Sequence, residues 1–307
     1  MNQDISICVL TENEMGWTEP FELDKVQILD NYYLSAQKSD IAFLKKMDTA
    51  RLLAGFRTTA GIDTKGVRPY GGWEDSLLGG HCVGHYLTAL AQAVKVTGDK
   101  ELKEKSQTLI AGLEECQKKL GTGFLFGAKV EDKEDVEKQF DILEGKKKGE
   151  TWVPWYNMHK VLAGLVDTYK YTGNETALLV AEKLGDWIYE RVSKWDLKTN
   201  QKVLETEYGG MNDCLYELYS YSHNKHHLEA AQKFDEKALF LMAAKGEKNC
   251  LDGKHANTQI PKFIGAIKRY NVLKQLGEAK QEDEAYLVDA EKFFEMVVKR
   301  HSFVTGG

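Results

Sequence analysis

One pattern constrains the fold of this chain more than any other: an apolar helix closed by a glycine is followed by a helix with a charged face, and this pair recurs. The first pair runs from His85 through Gly98 into residues 100–118, and the second runs from His159 through Gly173 into residues 175–193. Glycine suits the end of a helix because it adopts the left-handed conformation found there. The repeat therefore predicts consecutive helical hairpins.

Two further units follow the same plan. Residues 211–222 lead into a helix over 225–244, and residues 261–276 lead into a helix over 282–300. Ahead of the pairs, residues 24–56 read as helical, with an interruption expected near Ser39. The first helix of each pair is apolar on nearly all sides and the second is amphipathic, as inner and outer helices should be. We therefore predict an all-α protein, either an α-solenoid or a closed α/α toroid.

The segments that precede the inner helices decide between these two architectures. They are long and rich in Gly, aromatic and His residues, whereas turns in a purely structural repeat of the tetratricopeptide kind are short. The four segments are residues 68–75, 151–159, 207–213 and 253–259. All four lie at the same end of the inner helices, so we expect them to surround one basin, as in a toroid. The alternative is that they are aromatic-rich structural turns.

Composition excludes several classes of function. The 307 residues are 42% hydrophobic and 29% charged, with a net charge of −6, which describes a globular chain and not a nucleic-acid binder. The sequence shows neither a membrane span nor a signal peptide pattern, so we expect no membrane partner and a cytoplasmic location. Five cysteines are scattered without a CxxC motif, which favours neither a zinc ribbon nor a disulfide framework.

The side chains expected at the basin suit a sugar. Indole and phenol rings stack on the apolar face of a sugar, and paired donors and acceptors satisfy its hydroxyls. The stacking candidates are Trp73, Trp152, Trp155 and Tyr156, and the hydrogen-bonding candidates are His81, His159, His255, Asn257 and Gln259. The loop carboxylates are Glu74, Asp75 and Glu207, and a pair of facing carboxylates is typical of glycoside hydrolysis. For each residue taken alone, a packing role is the open alternative.

The same region contains one histidine spacing that suits a metal site. His81 and His85 are four residues apart, so they share one helix face, which is a spacing that suits a metal. The zincin motif has a glutamate directly after the first histidine, and Cys82 stands there instead. The sequence therefore assigns no metal ligand within this chain.

Five motifs resemble glycoside hydrolase family 127, the β-L-arabinofuranosidase-like family. They are Arg51-Leu52-Leu53-Ala54-Gly55-Phe56-Arg57, Gly80-His81-Cys82-Val83-Gly84-His85-Tyr86-Leu87, Trp152-Val153-Pro154-Trp155-Tyr156-Asn157-Met158-His159-Lys160, Glu207-Tyr208-Gly209-Gly210-Met211-Asn212 and His255-Ala256-Asn257-Thr258-Gln259-Ile260-Pro261-Lys262. They occur in the order of the family and cover nearly the whole chain.

The resemblance implies an α/α toroid of the six-hairpin-barrel type, followed in full-length relatives by β-sandwich domains. It implies retaining hydrolysis of β-L-arabinofuranosides from plant cell-wall glycans, with a cysteine nucleophile held on zinc and a glutamate as the acid/base. It also implies that His81, His159 and His255 bind the furanose, with Trp155 and Tyr156 near them. The expected partner is therefore an arabinose-containing oligosaccharide.

The end of the sequence sets an expectation about activity. Residues 301–307 resemble the glycine-rich segment that precedes the family's acid/base glutamate and zinc-binding cysteines, which we expect after Gly307. We therefore predict a lead-in over 1–23 and a barrel domain over 24–307 that is incomplete at its C-terminal end. Such a chain should bind no zinc, be inactive alone, and pair with a second copy or with the missing C-terminal portion. The alternative is a non-catalytic carbohydrate-binding or interaction module.

Overall fold

Every regular element in the part of the chain that the structure describes is a helix. The computed structural model describes residues 20–130, 132–247 and 250–305. Its α-helices, in chain order, are α1 Asn31–Lys46, α2 Thr49–Thr59, α3 His81–Thr97, α4 Lys100–Leu120, α5 Lys138–Leu143, α6 Pro154–Thr172, α7 Glu175–Val192, α8 Leu197–Leu204, α9 Met211–Ser222, α10 Lys225–Lys233, α11 Lys237–Ala244, α12 Ala256–Gln275 and α13 Glu284–Met296. None of these helices is long and apolar enough to cross a membrane. The predicted all-α class is confirmed.

The helices form an inner and an outer layer. Helices α3, α6, α9 and α12 pack side by side in that order, and each also packs on its own outer helix, which is α4, α7, α10 and α13 respectively. The outer helices α4, α7 and α10 also contact one another in sequence. This alternation is the helical-toroid arrangement that the sequence repeat predicts, and it brings the N-terminal ends of the inner helices to one side of the molecule.

Glycines allow the inner helices to approach closely. A Cβ atom on Gly84 of α3 would lie 1.8 Å from the backbone oxygen of Lys160 in α6, and a Cβ on Gly164 would lie 2.5 Å from the backbone oxygen of Gly84. Real Cβ atoms do not come so near to backbone oxygen, so both positions require glycine. The resulting backbone contact fixes the start of α3 beside the start of α6.

Three predicted boundaries were wrong. The early helical stretch breaks at Met47 and not near Ser39, because the Asp48 side chain accepts hydrogen bonds from the amides of Ala50 and Arg51 and so begins a new helix. The predicted helix over 225–244 is two helices. Between them Asp235 turns inward, and its carboxylate lies 2.8 Å from the Arg269 guanidinium.

The third difference concerns α12, which begins at Ala256, five residues before Pro261.

Of the predicted lead-in over 1–23, residues 1–19 lie outside the described residues. The division of the chain at residue 24 therefore stays a prediction.

An aromatic cluster forms the core beneath the inner helix ends. The ring of Trp155 is fully buried, and its centroid lies 4.9 Å from that of Phe140, 5.1 Å from that of Phe234 and 5.5 Å from that of Trp195. Each such burial contributes roughly 1.5–3 kcal/mol relative to exposure. The cluster ties the long connection before α6 to helix α7 and makes a rigid support for the start of α6.

The face between α12 and α13 is apolar and open to solvent. Ile264 of α12 is 47% exposed and Phe294 of α13 is 67% exposed, and both line one groove between these helices. Contiguous apolar surface of this kind favours association.

We expect concentration-dependent self-association of the chain through this groove. Phe294→Lys should lower the fraction of associated protein in sedimentation velocity runs, because a charge there must be desolvated on contact. Leu197→Lys is the matched control, since Leu197 is 74% exposed but lies on α8, away from the groove. Equal association of the two variants would contradict this assignment.

Candidate functional site

The start of α3 is organised by a buried carboxylate. Glu74 lies in a short turn before the helix, and its oxygens accept hydrogen bonds from the backbone amides of Gly80 at 2.9 Å and Cys82 at 3.2 Å. A carboxylate at a helix N-terminus is favourable because it satisfies amides that have no partner within the helix. Glu74 therefore fixes the conformation of the first turn of α3.

The same carboxylate orients His81. The Nδ1 atom of His81 lies 2.9 Å from Glu74 Oε1 and 2.9 Å from the Leu78 carbonyl oxygen, so Nδ1 carries a proton that it donates to these acceptors. Burial opposes the charged form of the ring, but hydrogen bonds to Cys82 and Glu74 raise the pKa of His81 to about 10. Nε2 is left pointing away from Glu74, with the Cys82 sulfur 3.7 Å from it.

The start of α6 is tied to α3 on one side and to α9 on the other. Asn157 donates hydrogen bonds to the carbonyl oxygens of Leu78 and Gly79, which precede α3. His159 accepts a hydrogen bond at its Nδ1 from the Gly210 amide at 3.0 Å, directly before α9. Burial lowers the pKa of His159 well below its ordinary value, so the ring is neutral. The neutral ring then carries its proton on Nε2.

The starts of α9 and α12 join the same constellation through Tyr156. Its ring centroid is 6.3 Å from that of His81, and burial raises the pKa of Tyr156 while the neighbouring Asn257 side chain opposes the shift. Asn257 in turn donates to Glu207 Oε1 at 3.2 Å. Burial raises the pKa of Glu207, while the nearby His255 opposes the shift. Contacts thus run without a break from Glu74 through His81, Tyr156 and Asn257 to Glu207, across all four helix entrances.

The remaining predicted residues take different positions. Trp152 is 47% exposed, and its ring is available to a ligand. His255 is exposed, while Gln259 is buried and donates to the Thr258 hydroxyl. Trp155 lies in the aromatic core with no exposed surface, so its ring is not available to a ligand.

Three further residues lie near the basin, and of these only Trp73 is predicted from the sequence, as a stacking candidate. Trp73 is 66% exposed, and its ring centroid lies 6.3 Å from that of His81. The Lys160 ammonium lies 4.9 Å from the centroid of the Tyr156 ring, and burial lowers its pKa. Asp213, in the first turn of α9, has a buried Oδ1 atom without a hydrogen-bond partner among the described residues. A carboxylate in the first turn of an inner helix is the signal that could have identified Asp213.

Asp213 should make the stability of the protein depend on pH. Burial raises its pKa to about 6, above the value near 3.8 of an unfolded chain. A raised carboxyl pKa means that ionisation opposes folding above pH 6, and that this penalty disappears as the pH falls from 6 towards 4. Asp213→Asn should therefore raise the melting temperature at pH 7 and have little effect at pH 4. Asp252→Asn, which changes an exposed carboxylate, is the control. An equal change in melting temperature at pH 7 and pH 4 would contradict the assignment of a raised pKa to Asp213.

One group of side chains in the described ranges has a spacing that suits a metal ion. Ligand atoms of Glu74, His81 and Cys82 all lie within 4.8 Å of one another. Two of these donors already have partners, because both Glu74 oxygens accept backbone amides and His81 Nδ1 donates to Glu74. The remaining two atoms, His81 Nε2 and Cys82 Sγ, are hydrogen-bonded to each other at 3.7 Å. This donor pair fits zinc chemically, since zinc prefers thiolate and imidazole ligands.

The fold and the basin define a helical toroid whose inner helices begin at one polar and aromatic site. A profile of the β-L-arabinofuranosidase GH127 catalytic domain matches residues 25–307. The chain therefore belongs to glycoside hydrolase family 127, and the resemblance seen in its motifs is confirmed.

Solved structures agree on the fold. A GH127 β-L-arabinofuranosidase from Geobacillus stearothermophilus T6 is similar at 17% identity with a TM-score of 0.52, over 93% of this chain and 44% of that one. A GH127 β-arabinofuranosidase, BT3674, is similar at 16% identity with a TM-score of 0.59, over 94% of this chain and 45% of that one. This chain thus spans less than half the length of either. A comparison with curated proteins found no match.

Proposed function

We propose that this chain forms the sugar-binding part of a β-L-arabinofuranosidase-type site and holds an arabinofuranose unit of a plant cell-wall glycan in the basin. In a complete enzyme of this kind the bound sugar would be hydrolysed with retention of configuration. This proposal is based on the membership of the chain in a glycoside hydrolase family.

The observation that carries the proposal is the unbroken set of contacts from Glu74 to Glu207. Donors and acceptors of different types face one region: a histidine held by a carboxylate, a tyrosine hydroxyl, an amide and a half-buried carboxylate. Exposed indole rings of Trp73 and Trp152 provide apolar surface at the same helix ends. This mixture suits a furanose, whose hydroxyls need paired partners and whose carbon face needs a ring.

We further propose that the chain alone binds the sugar without hydrolysing it. When bound, zinc would activate a cysteine nucleophile by holding it as the thiolate. Of the four described cysteines, Cys116, Cys214 and Cys250 are no more than 8% exposed, and burial raises the pKa of each thiol, which suits packing and not attack. The fourth, Cys82, is half-buried and hydrogen-bonded to His81. This observation also favours the second candidate function, a carbohydrate-binding module without catalysis.

Titration calorimetry with a β-L-arabinofuranosyl disaccharide tests the binding proposal. We expect saturable binding at one site, and weaker binding of the α-anomer, because the two anomers direct the second sugar differently from the same basin. Absence of binding to either anomer would contradict the proposal.

An assay of released L-arabinose, with and without added zinc, tests the second part. We expect no turnover by this chain under conditions in which a full-length relative is active. Turnover that requires a side chain of this basin would show that the chain is a complete hydrolase and not a binding part.

A further inference from the structure

Helix α1 has an apolar face that is open to solvent. None of its residues is buried, and only one side of the helix packs on α3 and α4. On the other side Tyr32 is 77% exposed and Phe43 is 61% exposed, and these rings share one face because they are about three helical turns apart. A groove of about 380 Å³ opens between α1 and α3 beside Phe43. Since most helical stability in proteins comes from packing of an apolar face, this α1 face suits a partner.

The α1 face and the groove between α12 and α13 carry opposite charges. Helix α1 has three lysines and one aspartate, whereas α13 has four carboxylates and one lysine. Lys46 lies one turn after Phe43 and Glu291 lies one turn before Phe294, and both charged side chains are exposed. Contact between the two faces therefore brings opposite charges together, whereas contact of the α13 face with a copy of itself brings like charges together.

The contacts between helix pairs within the chain show how the two faces can meet. Helix α3 packs on α6, α6 on α9 and α9 on α12, so each pair covers the apolar side of the next one. The α1 face and the groove between α12 and α13 lie at the two ends of this series. Repeated helix pairs bury their apolar sides by stacking on a neighbour, and a second copy of the chain offers each end the neighbour that it needs.

We propose that the α1 face of one copy binds the groove between α12 and α13 of a second copy, head to tail. Phe43 of one copy then enters the groove of the other, with Lys46 opposite Glu291. Because the two faces are different, a dimer keeps one free face of each kind, and association continues to longer assemblies or to a closed ring. This arrangement requires no sugar, so it can fail without affecting the proposed function.

Mixing two variants tests the arrangement in sedimentation velocity runs. We expect Phe43→Lys and Phe294→Lys each to remain monomeric at concentrations at which the unmodified chain associates, because each has lost one of the two faces. Mixed in equal amounts, they should form a one-to-one dimer and nothing larger, since each variant supplies the face that the other has lost. A mixture that stays monomeric would overturn the proposal. So would a monomeric unmodified chain, or association of Phe43→Lys alone, which would mean that the groove pairs with itself.

Charge exchange tests the same contact with exposed residues, whose substitution leaves the core intact. Lys46→Glu should weaken the association about fivefold at low salt, the upper range for an exposed ion pair, and less at high salt. Adding Glu291→Lys to the same chain should restore it, because the two signs are then exchanged between the copies. Leu197→Lys is the control, since Leu197 is exposed and lines neither groove. Circular dichroism confirms that each variant is folded. Failure of the double variant to recover, or an equal loss in Leu197→Lys, would contradict the assigned contact.

Discussion

Replacing Gly84 with alanine should destabilise the protein by about 3 kcal/mol or more, close to the upper end of overpacking effects. The added Cβ would lie 1.8 Å from the Lys160 backbone oxygen, and a backbone atom inside a helix cannot move aside as a flexible side chain can. Helices α3 and α6 would have to separate. The free energy of unfolding in urea measures the effect.

Gly98→Ala is the matched control for this experiment. Gly98 ends α3 with a φ of 68°, and no atom lies within 4 Å of a Cβ placed there. Its substitution should therefore incur only the left-handed backbone strain of about 1–2 kcal/mol. If Gly84→Ala and Gly98→Ala destabilise the protein equally, the close contact of the inner helices does not hold the fold together.

Glu207→Gln should weaken arabinofuranoside binding by about tenfold to a hundredfold, since hydrogen bonds to charged groups are worth roughly 1.5–3 kcal/mol. The substitution keeps the shape of the side chain and an oxygen that can accept from Asn257, so the contacts around it survive. What is lost is the charge that accepts a sugar hydroxyl most strongly. Titration calorimetry with the β-L-arabinofuranosyl disaccharide gives the dissociation constant.

Glu205→Gln controls for a general loss of negative charge, because Glu205 is exposed and lies two residues away. Its affinity for the disaccharide should equal that of the unchanged chain. Equal affinities for all three proteins would remove Glu207 from the proposed site.

The helical fold could be predicted because it rests on local patterns that repeat. Apolar helices ending at Gly98 and Gly173 have left-handed C-caps at both glycines, as the sequence pattern predicts. The break before α2 was misplaced because it depends on one capping side chain, Asp48, which has no distinctive neighbours in the sequence. Likewise, the inward turn at Asp235 depends on a partner 34 residues away, Arg269.

The candidate site was predictable as a set of segments but not residue by residue. Trp152 and Trp155 belong to one motif, yet α6 begins between them at Pro154, and the first ring faces solvent while the second enters the core. The sequence identifies Glu74 only as a loop carboxylate, because its hydrogen bonds to Gly80 and Cys82 follow from the shape of the turn. Such roles depend on backbone geometry that residue spacing does not specify.

The most direct test of the account is a crystal structure of this chain soaked with a β-L-arabinofuranosyl disaccharide. We expect the furanose to occupy the basin and to contact residues of at least two helix entrances, with Tyr156 on one side and Glu207 on the other. A sugar bound on another face of the molecule, with the basin empty at a saturating concentration, would contradict it.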